Sequence, residues 1–187
     1  MKSQFAIALK SFLLLTFITG VLYPLAITGI SQVAMAGAAN GNLLPAAGGT
    51  PPGSLLVGQN FQGQDQFWGR LSQTGPAPYN AASSGASNLG TSNPALADNA
   101  KARLEALGVE GVPVPVDLVS SSGSGLDPHI SPGSARVQIP RVAKATGKSP
   151  EELESLVSRL AEEPTFGVLG QARVNVVLLN MELKKLP

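Results

Sequence analysis

The chain has 187 residues, of which 13 are Lys or Arg, 12 are Asp or Glu and none is Cys, and its formal net charge is +1. Charged residues make up 13 % of the chain, about half the roughly 25 % that is usual in soluble domains. So small a net charge supplies no field for holding phosphate backbones, which argues against nucleic acid as a partner. The lack of Cys excludes disulfides, thiolate metal sites and a Cys nucleophile.

The first element in chain order is a long apolar segment. No charged residue lies between Lys10 and Asp65, and residues 11–36 within this gap are dominated by apolar side chains without a polar face. About 20 such residues, as a helix, cross a hydrocarbon core of about 30 Å. We therefore predict a transmembrane helix over 11–36. A cleaved signal peptide is the alternative, because Ala34-Met35-Ala36 offers an A-x-A cleavage site; the product would be an exported soluble binding domain.

The flanking charges predict the orientation of this span. Lys2 and Lys10 precede it, and the next cation is Arg70. The positive-inside rule then places residues 1–10 in the cytoplasm and the main domain on the opposite side of the membrane, outside the cell or in the periplasm. The Gly- and Ala-rich residues 37–53 are interpreted as a linker.

The predicted span also contains small and polar residues that suit close packing against another membrane helix. Thr19 and Thr28 offer hydroxyls for interhelical hydrogen bonds. The candidate packing residues are Thr16, Gly20, Tyr23, Pro24 and Gly29. A plain anchor surrounded only by lipid is the alternative.

Residues 54–187 predict a compact α+β domain. Capping residues followed by Pro indicate helix starts at Asn93, Ser131 and Ser149, the last within a capping box. Pro140 is expected to kink or restart the second of these helices. Strand-like or extended pieces are expected at 54–61, 67–71, 112–119 and 173–183.

Between these elements, residues 73–97 carry no charge and are crowded with Gly, Pro, Ser and Asn. This composition indicates turns, and we predict an ordered loop that contacts another protein, since a neutral face loses few solvated charges on docking. Internal packing of the loop alone is the alternative. The candidate contact residues are Tyr79, Asn80, Ser87, Asn88 and Asn93.

The sequence contains no strong motif for catalysis, metal binding or phosphate binding. Ser124, Asp127 and His129 contain the residue types of a hydrolase triad, with Asp117 nearby, but Ser124 lacks the G-x-S-x-G context. We interpret them as a turn that leads into a helix cap, with no catalytic site. One His and scattered carboxylates predict no metal site, and no phosphate-binding loop occurs.

A second motif imitates a DNA reader. Residues 142–147 followed by 149–160 resemble a helix-turn-helix, but residues 149–163 hold five Glu and one Arg, a net charge of −4. Phosphates would repel such a helix. We therefore expect an ordinary helical hairpin.

Extended motifs resemble the C chain of potassium-transporting ATPases (KdpC). The resemblance begins with Thr19 to Leu25 in the span and with Gly58 to Phe61. It continues, in order, through residues 67–74, 78–80, 83–94, 114–130, 138–145 and 170–183. Departures are small, such as Gln171-Ala172 where the family commonly has Glu-Pro.

The resemblance implies an accessory subunit of a bacterial high-affinity potassium pump. Its implied partners are a P-type ATPase subunit (KdpB), a K⁺-channel-like subunit (KdpA), a small membrane subunit (KdpF) and the lipid bilayer. ATP, Mg²⁺ and K⁺ would be handled by the complex and not by this chain alone. The family is regarded as a catalytic chaperone of ATP use, whereas our topology leaves only about ten residues on the cytoplasmic side. We therefore expect indirect action through assembly.

Overall fold

The computed structural model describes residues 2–44, 53–109 and 111–186. The chain divides into two compact units, Met1–Pro52 and Gly53–Pro187. Part of the predicted linker, residues 45–52, lies outside the described residues.

The first unit is built on one long helix. It consists of α1 (Lys2–Phe17), a π-helical turn (Ile18–Leu22) and α2 (Tyr23–Ala34), followed by the short α3 (Ala36–Ala39). Ser3–Ala34 has 32 residues and is long and apolar enough to cross a membrane. The helix therefore begins before the predicted span and ends two residues short of it.

Pro24 does not interrupt this helix. Pro has no N–H and would leave a gap in the α-helical ladder. The π turn ends at Leu22, two residues before Pro24, and the Tyr23 N–H donates to the Ile18 carbonyl five residues back. The wider turn is one of the recognised ways in which a helix absorbs such a defect.

The second unit combines helices with a small sheet, which confirms the α+β class. Its elements in chain order are α4 (Pro94–Leu107), α5 (Val116–Val119), β1 (His129–Ile130), α6 (Pro132–Thr146), α7 (Pro150–Leu160), β2 (Ala161–Glu162), β3 (Arg173–Asn175) and α8 (Val176–Leu183). The sheet is antiparallel with the order β1-β3-β2. Val174 at its centre pairs with Ile130 on one side and Ala161 on the other.

The core lies where α6, α7 and α8 pack together and against β3. Its fully buried side chains are mostly aliphatic, as the shortage of aromatic residues predicts. They include Phe67, Val142, Leu153, Leu156, Val157, Val174 and Leu179. Burial of each such side chain contributes about 1.5–3 kcal/mol, so this cluster is the main source of the domain's stability.

The predicted helix starts are confirmed. The Asn93 side chain accepts from the Ala95 N–H, and α4 ends at Gly108 in the left-handed conformation. The Ser131 hydroxyl accepts from the Ser134 N–H at the start of α6, and Ser149 forms the complete capping box with Glu152 at the start of α7. The helix-turn-helix-like segment is the α6–α7 hairpin, as expected.

Several strand predictions were wrong. Residues 173–183 form a strand only as far as Asn175, whose side chain then accepts from the Val177 and Leu178 N–H groups and starts α8. Residues 116–119 of the expected edge strand are the short helix α5. Residues 54–61 and 67–71 contain no strand, although Leu71 forms an isolated bridge to Ser121.

Pro140 neither ends nor restarts its helix. α6 continues from Pro132 to Thr146 with Pro140 inside it. A proline inside a helix removes one backbone donor and its ring crowds the carbonyl four residues earlier, which together cost about 3 kcal/mol. Ile139 and Val142 on either side of it are buried in the core, and their packing outweighs this loss.

Candidate subunit interface

The predicted uncharged loop is ordered by the domain beneath it. The prediction covered residues 73–97, of which 94–97 belong to the first turn of α4 and 73–93 form no helix or strand. Two hydroxyl groups fix the path of residues 73–93. The Ser72 hydroxyl donates to the Gly125 carbonyl at 2.7 Å and accepts from the Tyr79 N–H at 2.8 Å. The Thr74 hydroxyl donates to the Ala77 carbonyl at 2.7 Å and accepts from the Asn80 N–H at 3.0 Å. Backbone groups that a sheet would pair are satisfied by side chains instead.

Tyr79 anchors the middle of the loop. Its hydroxyl donates to the Arg70 carbonyl at 2.6 Å, and its backbone has a positive φ of 58°. Burial raises the pKa of Tyr79 to about 12. Desolvation favours the neutral phenol, which can donate this hydrogen bond.

Two glycines allow the loop to approach the domain closely. A Cβ at Gly58 would meet the Tyr79 ring and lie 2.9 Å from the Asp127 carbonyl. A Cβ at Gly125, where φ is +69°, would lie 2.5 Å from Thr74 Cγ2 and 2.6 Å from the Gly85 carbonyl. The contacts leave no space for a larger residue at either position.

The five predicted contact residues have different positions in this loop. Tyr79 points inward, and the Asn80 amide donates to the Gly75 carbonyl at 2.6 Å. Ser87 is half-buried, and Asn93 caps α4. Asn88 is exposed with a φ of +50°, and its side chain makes no hydrogen bond within the described residues. Most of the polar groups therefore hold the loop, and a contact role for these residues stays a prediction.

A pair of buried amides supports the segment that leads into the loop. The Asn180 side chain accepts from the Phe67 N–H and donates to the Phe67 carbonyl, both at 2.8 Å. The Gln138 side chain accepts from the Trp68 N–H at 2.7 Å and donates to the Trp68 carbonyl at 3.1 Å. Each amide thus replaces a neighbouring strand. These amides lie far along the chain, and nothing in the local sequence marks them.

Two arginines enclose Trp68, which is 5 % exposed. The guanidinium carbons of Arg103 and Arg141 lie 4.7 and 4.4 Å from the ring centroid. Their described hydrogen-bond acceptors are backbone carbonyls and the Gln138 amide, not carboxylates. Burial lowers the pKa of each guanidinium, to about 10. This stack ties α4 and α6 to the segment beneath the loop, and sequence reasoning missed it.

The residues that imitate a triad form turns and caps. The Asp127 carboxylate accepts from the His129 N–H at 2.9 Å and lies 3.3 Å from Arg70 Nη1. Burial raises the pKa of Asp127, but hydrogen bonds from His129 and the charges of His129 and Arg70 bring it below its ordinary value. The Ser124 hydroxyl accepts from the Leu126 N–H, and no hydrogen bond in the described structure joins it to His129.

Asp117 has a similar structural role. Its carboxylate accepts from the Ser131 N–H at 2.7 Å and from the Ser134 hydroxyl at 2.7 Å, which fixes the start of α6. Together with Arg70 and His129 it lines an open cleft of about 670 Å³. Within the described ranges, no three His, Asp or Glu side chains are grouped as metal ligands.

The candidate packing residues of the apolar helix are all exposed on its surface: Thr16, Gly20, Tyr23, Pro24 and Gly29. Gly20 lies within the π turn, and the adjacent Thr19 hydroxyl donates to the Leu15 carbonyl at 2.8 Å. Because this hydroxyl already has a hydrogen-bond partner within its own helix, it could face lipid without leaving a polar group unsatisfied. Packing of these residues against another helix stays a prediction.

One apolar helix long enough to cross a membrane, followed by one mixed domain, fits the class of single-pass membrane proteins. A family model described as "KdpC: K+-transporting ATPase, c chain" matches residues 5–185. The relatives include potassium-transporting ATPase KdpC subunits from Paraburkholderia phytofirmans (48 % identical, covering 100 % of this chain and 98 % of the relative), Herpetosiphon aurantiacus (47 %, 100 % and 98 %) and Polaromonas naphthalenivorans (50 %, 100 % and 96 %). The chain belongs to the KdpC family, and its role lies in the potassium pump.

Proposed function

We propose that this chain is a non-catalytic accessory subunit that stabilises the assembly of the P-type ATPase subunit (KdpB) with the K⁺-translocating subunit (KdpA) and thereby promotes ATP use. The small subunit KdpF and the lipid bilayer complete its surroundings. The observation that carries the proposal is the uncharged loop of residues 73–93, held in one conformation by Ser72, Thr74 and Tyr79. A loop ordered before docking loses little conformational entropy, and a neutral loop buries no unpaired charge.

Indirect action follows from the proposed topology. Lys2 and Lys10 flank the apolar helix on its N-terminal side, which supports a position of residues 54–187 outside the cytoplasm. ATP, Mg²⁺ and K⁺ are then handled by the other subunits. Since the chain has no phosphate-loop sequence, we expect it to raise ATP use by stabilising contacts between subunits.

The test places a charge on the exposed part of the loop. Asn88→Asp should preserve the loop, because Asp also tolerates a positive φ, but it would bury an unpaired carboxylate at an interface. We expect a mild-detergent pull-down of the tagged full chain to recover at least about tenfold less ATPase and K⁺-translocating subunit, a loss of about 1.4 kcal/mol or more. Asn99→Asp, on the exposed side of α4, is the matched control.

Equal recovery with Asn88→Asp and with the unchanged chain would contradict a contact role for the loop. Recovery of no pump subunit with the unchanged chain would contradict the assembly role itself. The fluorescence of Trp68 should verify that the second unit of the variant is folded. A reduced recovery of the pump subunits can then be assigned to the lost contact.

An exported soluble binding domain is the second candidate, and one observation favours it. α2 ends at Ala34 and α3 begins at Ala36, and Met35 between them has left the helical conformation with a φ of −148°, so the helix is broken within the A-x-A sequence. The mass of the native chain distinguishes the two candidates. A membrane-bound chain that keeps its N-terminal residues supports the pump subunit, whereas a soluble chain beginning near Gly37 supports the exported domain.

A further inference from the structure

The connection between β2 and β3 carries an exposed apolar tip, which we define as Phe166, Val168 and Leu169. Their side chains are 89 %, 78 % and 61 % exposed. Single exposed apolar residues are common, but contiguous ones on a soluble domain mark contact sites. None of the three contributes to the core described above.

The tip is held in a defined shape. Thr165 and Leu169 form an isolated antiparallel bridge, and the Gly167 N–H donates to the Pro164 carbonyl at 2.8 Å. At the base of the connection, Glu162 and Arg173 are paired in the sheet and joined by an ion pair of 2.8 Å. The backbone groups of the turn are largely satisfied internally, so covering the tip would leave few polar groups unpaired.

The sequence of the tip goes against local preference. Phe166 has a φ of +55° and precedes Gly167 with a φ of +74°. A tight turn with two positive φ values favours Asn-Gly or Asp-Gly, and a bulky residue there is strained. An exposed Phe at this position therefore neither stabilises the turn nor increases the solubility of the domain. Residues that break local rules without a folding benefit are typical of functional positions.

The size and charge of the tip indicate its occupant. Together, these three apolar side chains expose on the order of 300 Å² of surface. A stable interface needs about 800 Å² from each partner, so the tip alone cannot support a dimer in solution. It is sufficient as an anchor if the chain is already held near its partner by the apolar helix.

An acidic residue beside the tip argues against lipid. Glu162 is paired with Arg173 at the base of the connection, which leaves Glu163 as the acidic residue beside the tip without an ion pair among the described residues. Anionic headgroups repel this carboxylate, and residues 163–172 supply none of the interfacial cations that normally accompany a membrane-inserted apolar tip. A protein groove with an apolar floor and a basic rim matches both the side chains and the charge.

We infer that the tip docks into an apolar, basic-rimmed groove on another membrane subunit of the potassium pump. The inference rests on the proposed assembly role and adds to it a second contact element, separate in sequence from the uncharged loop. Phe166 is the central anchor, because buried aromatic residues contribute most to such contacts.

The main test replaces Phe166 without harming the turn. Phe166→Asn supplies the residue preferred in this conformation, so the domain should fold at least as well. We expect at least about tenfold lower recovery of pump subunits in a mild-detergent pull-down of the full chain, as for other central anchors. Val112→Asn, at an apolar position that is 52 % exposed elsewhere in the domain, should leave recovery unchanged. Glu163→Lys should also lower recovery.

The chain has no Cys, which allows the occupant to be identified directly. Val168→Cys carrying a photo-crosslinker should form a product with a pump subunit in native membranes. Quenching of a fluorophore at this position by lipid-borne quenchers, without a protein crosslink, would overturn the inference in favour of lipid.

Equal recovery with Phe166→Asn and the unchanged chain would overturn the inference and leave the assembly role intact. Recovery of no pump subunit by the unchanged chain would overturn both.

Discussion

Replacing Asn180 by Leu removes both hydrogen bonds that hold Phe67. In the unchanged chain, the Phe67 N–H and carbonyl each lie 2.8 Å from the Asn180 amide. The Leu side chain has a similar volume but leaves both backbone groups without a hydrogen-bond partner. Phe67 is fully buried, and Asn180 is 2 % exposed, so water cannot replace the amide. An unsatisfied buried group costs about 1–3 kcal/mol. We therefore expect the free energy of unfolding of the second unit to fall by about 2–6 kcal/mol.

The chain offers a convenient probe for this measurement. Trp68, beside Phe67, is the single Trp, and its fluorescence in urea reports the unfolding of this unit in the full, detergent-solubilised chain. With a slope of about 2 kcal/mol per M, the urea midpoint should fall by about 1–3 M. Asn99→Leu, on the exposed side of α4, is the control and should change the stability by less than about 0.5 kcal/mol. A midpoint for Asn180→Leu equal to that of the control would refute the role of the amide.

Two further predictions concern the loop and α7. Because burial raises the pKa of Tyr79 to about 12, the folded chain keeps this proton while the unfolded chain loses it near pH 10. Stability that is present below pH 10 is then lost as the pH rises toward 12, by about 1.3 kcal/mol between pH 9 and 11. In urea titrations at both pH values, the Tyr79→Phe variant should not show this loss of unfolding free energy. The same pH dependence in the variant and in the unchanged chain would contradict the prediction. Ser149→Ala removes the hydroxyl that accepts from the Glu152 N–H at 3.2 Å, leaves the 3.0 Å bond from the backbone N–H of residue 149 to the Glu152 carboxylate, and should lower the free energy of unfolding by about 1 kcal/mol. Ser155→Ala, exposed on the same helix, should have no effect, and a Tm equal for both variants would exclude the cap.

Features that depend on neighbouring residues could be predicted from the sequence. Asn93, Ser131 and Ser149 each cap a helix through a backbone N–H two or three residues away. Such an interaction is complete within one turn and is visible as a motif. The apolar helix is recognisable for the same reason, because its length and composition are local properties.

Features that depend on distant residues could not be predicted. Residues 173–183 are rich in Val and Leu, and a short helix buried on all sides has the same composition as a buried strand. The Asn175 side chain favours the helix over a longer strand, because it caps the first N–H groups of α8. Residues 67–71 have strand-like character, but their partners are amides at Gln138 and Asn180, which lie 70 and 113 residues further along the chain.

The candidate interface was predicted only in part. The absence of charge located the loop, but it did not distinguish side chains that hold the loop, such as Asn80, from an exposed one, such as Asn88. The Phe166 tip was missed because a short apolar pattern beside Gly is equally consistent with a buried segment. Only its exposure in the folded chain indicates a surface feature.

The π turn at Ile18–Leu22 changes what a neighbouring helix would meet along this span. Such a turn accommodates one extra residue, which rotates everything after it by about 100° relative to a continuous α-helix. Thr16 and Tyr23, seven residues apart, would share a side of a regular helix but are displaced from each other by this rotation. α1, which ends at Phe17, and α2, which begins at Tyr23, are therefore rotated out of register with each other. A straight partner helix that contacts Thr16 meets a different side of the span from Tyr23 onward.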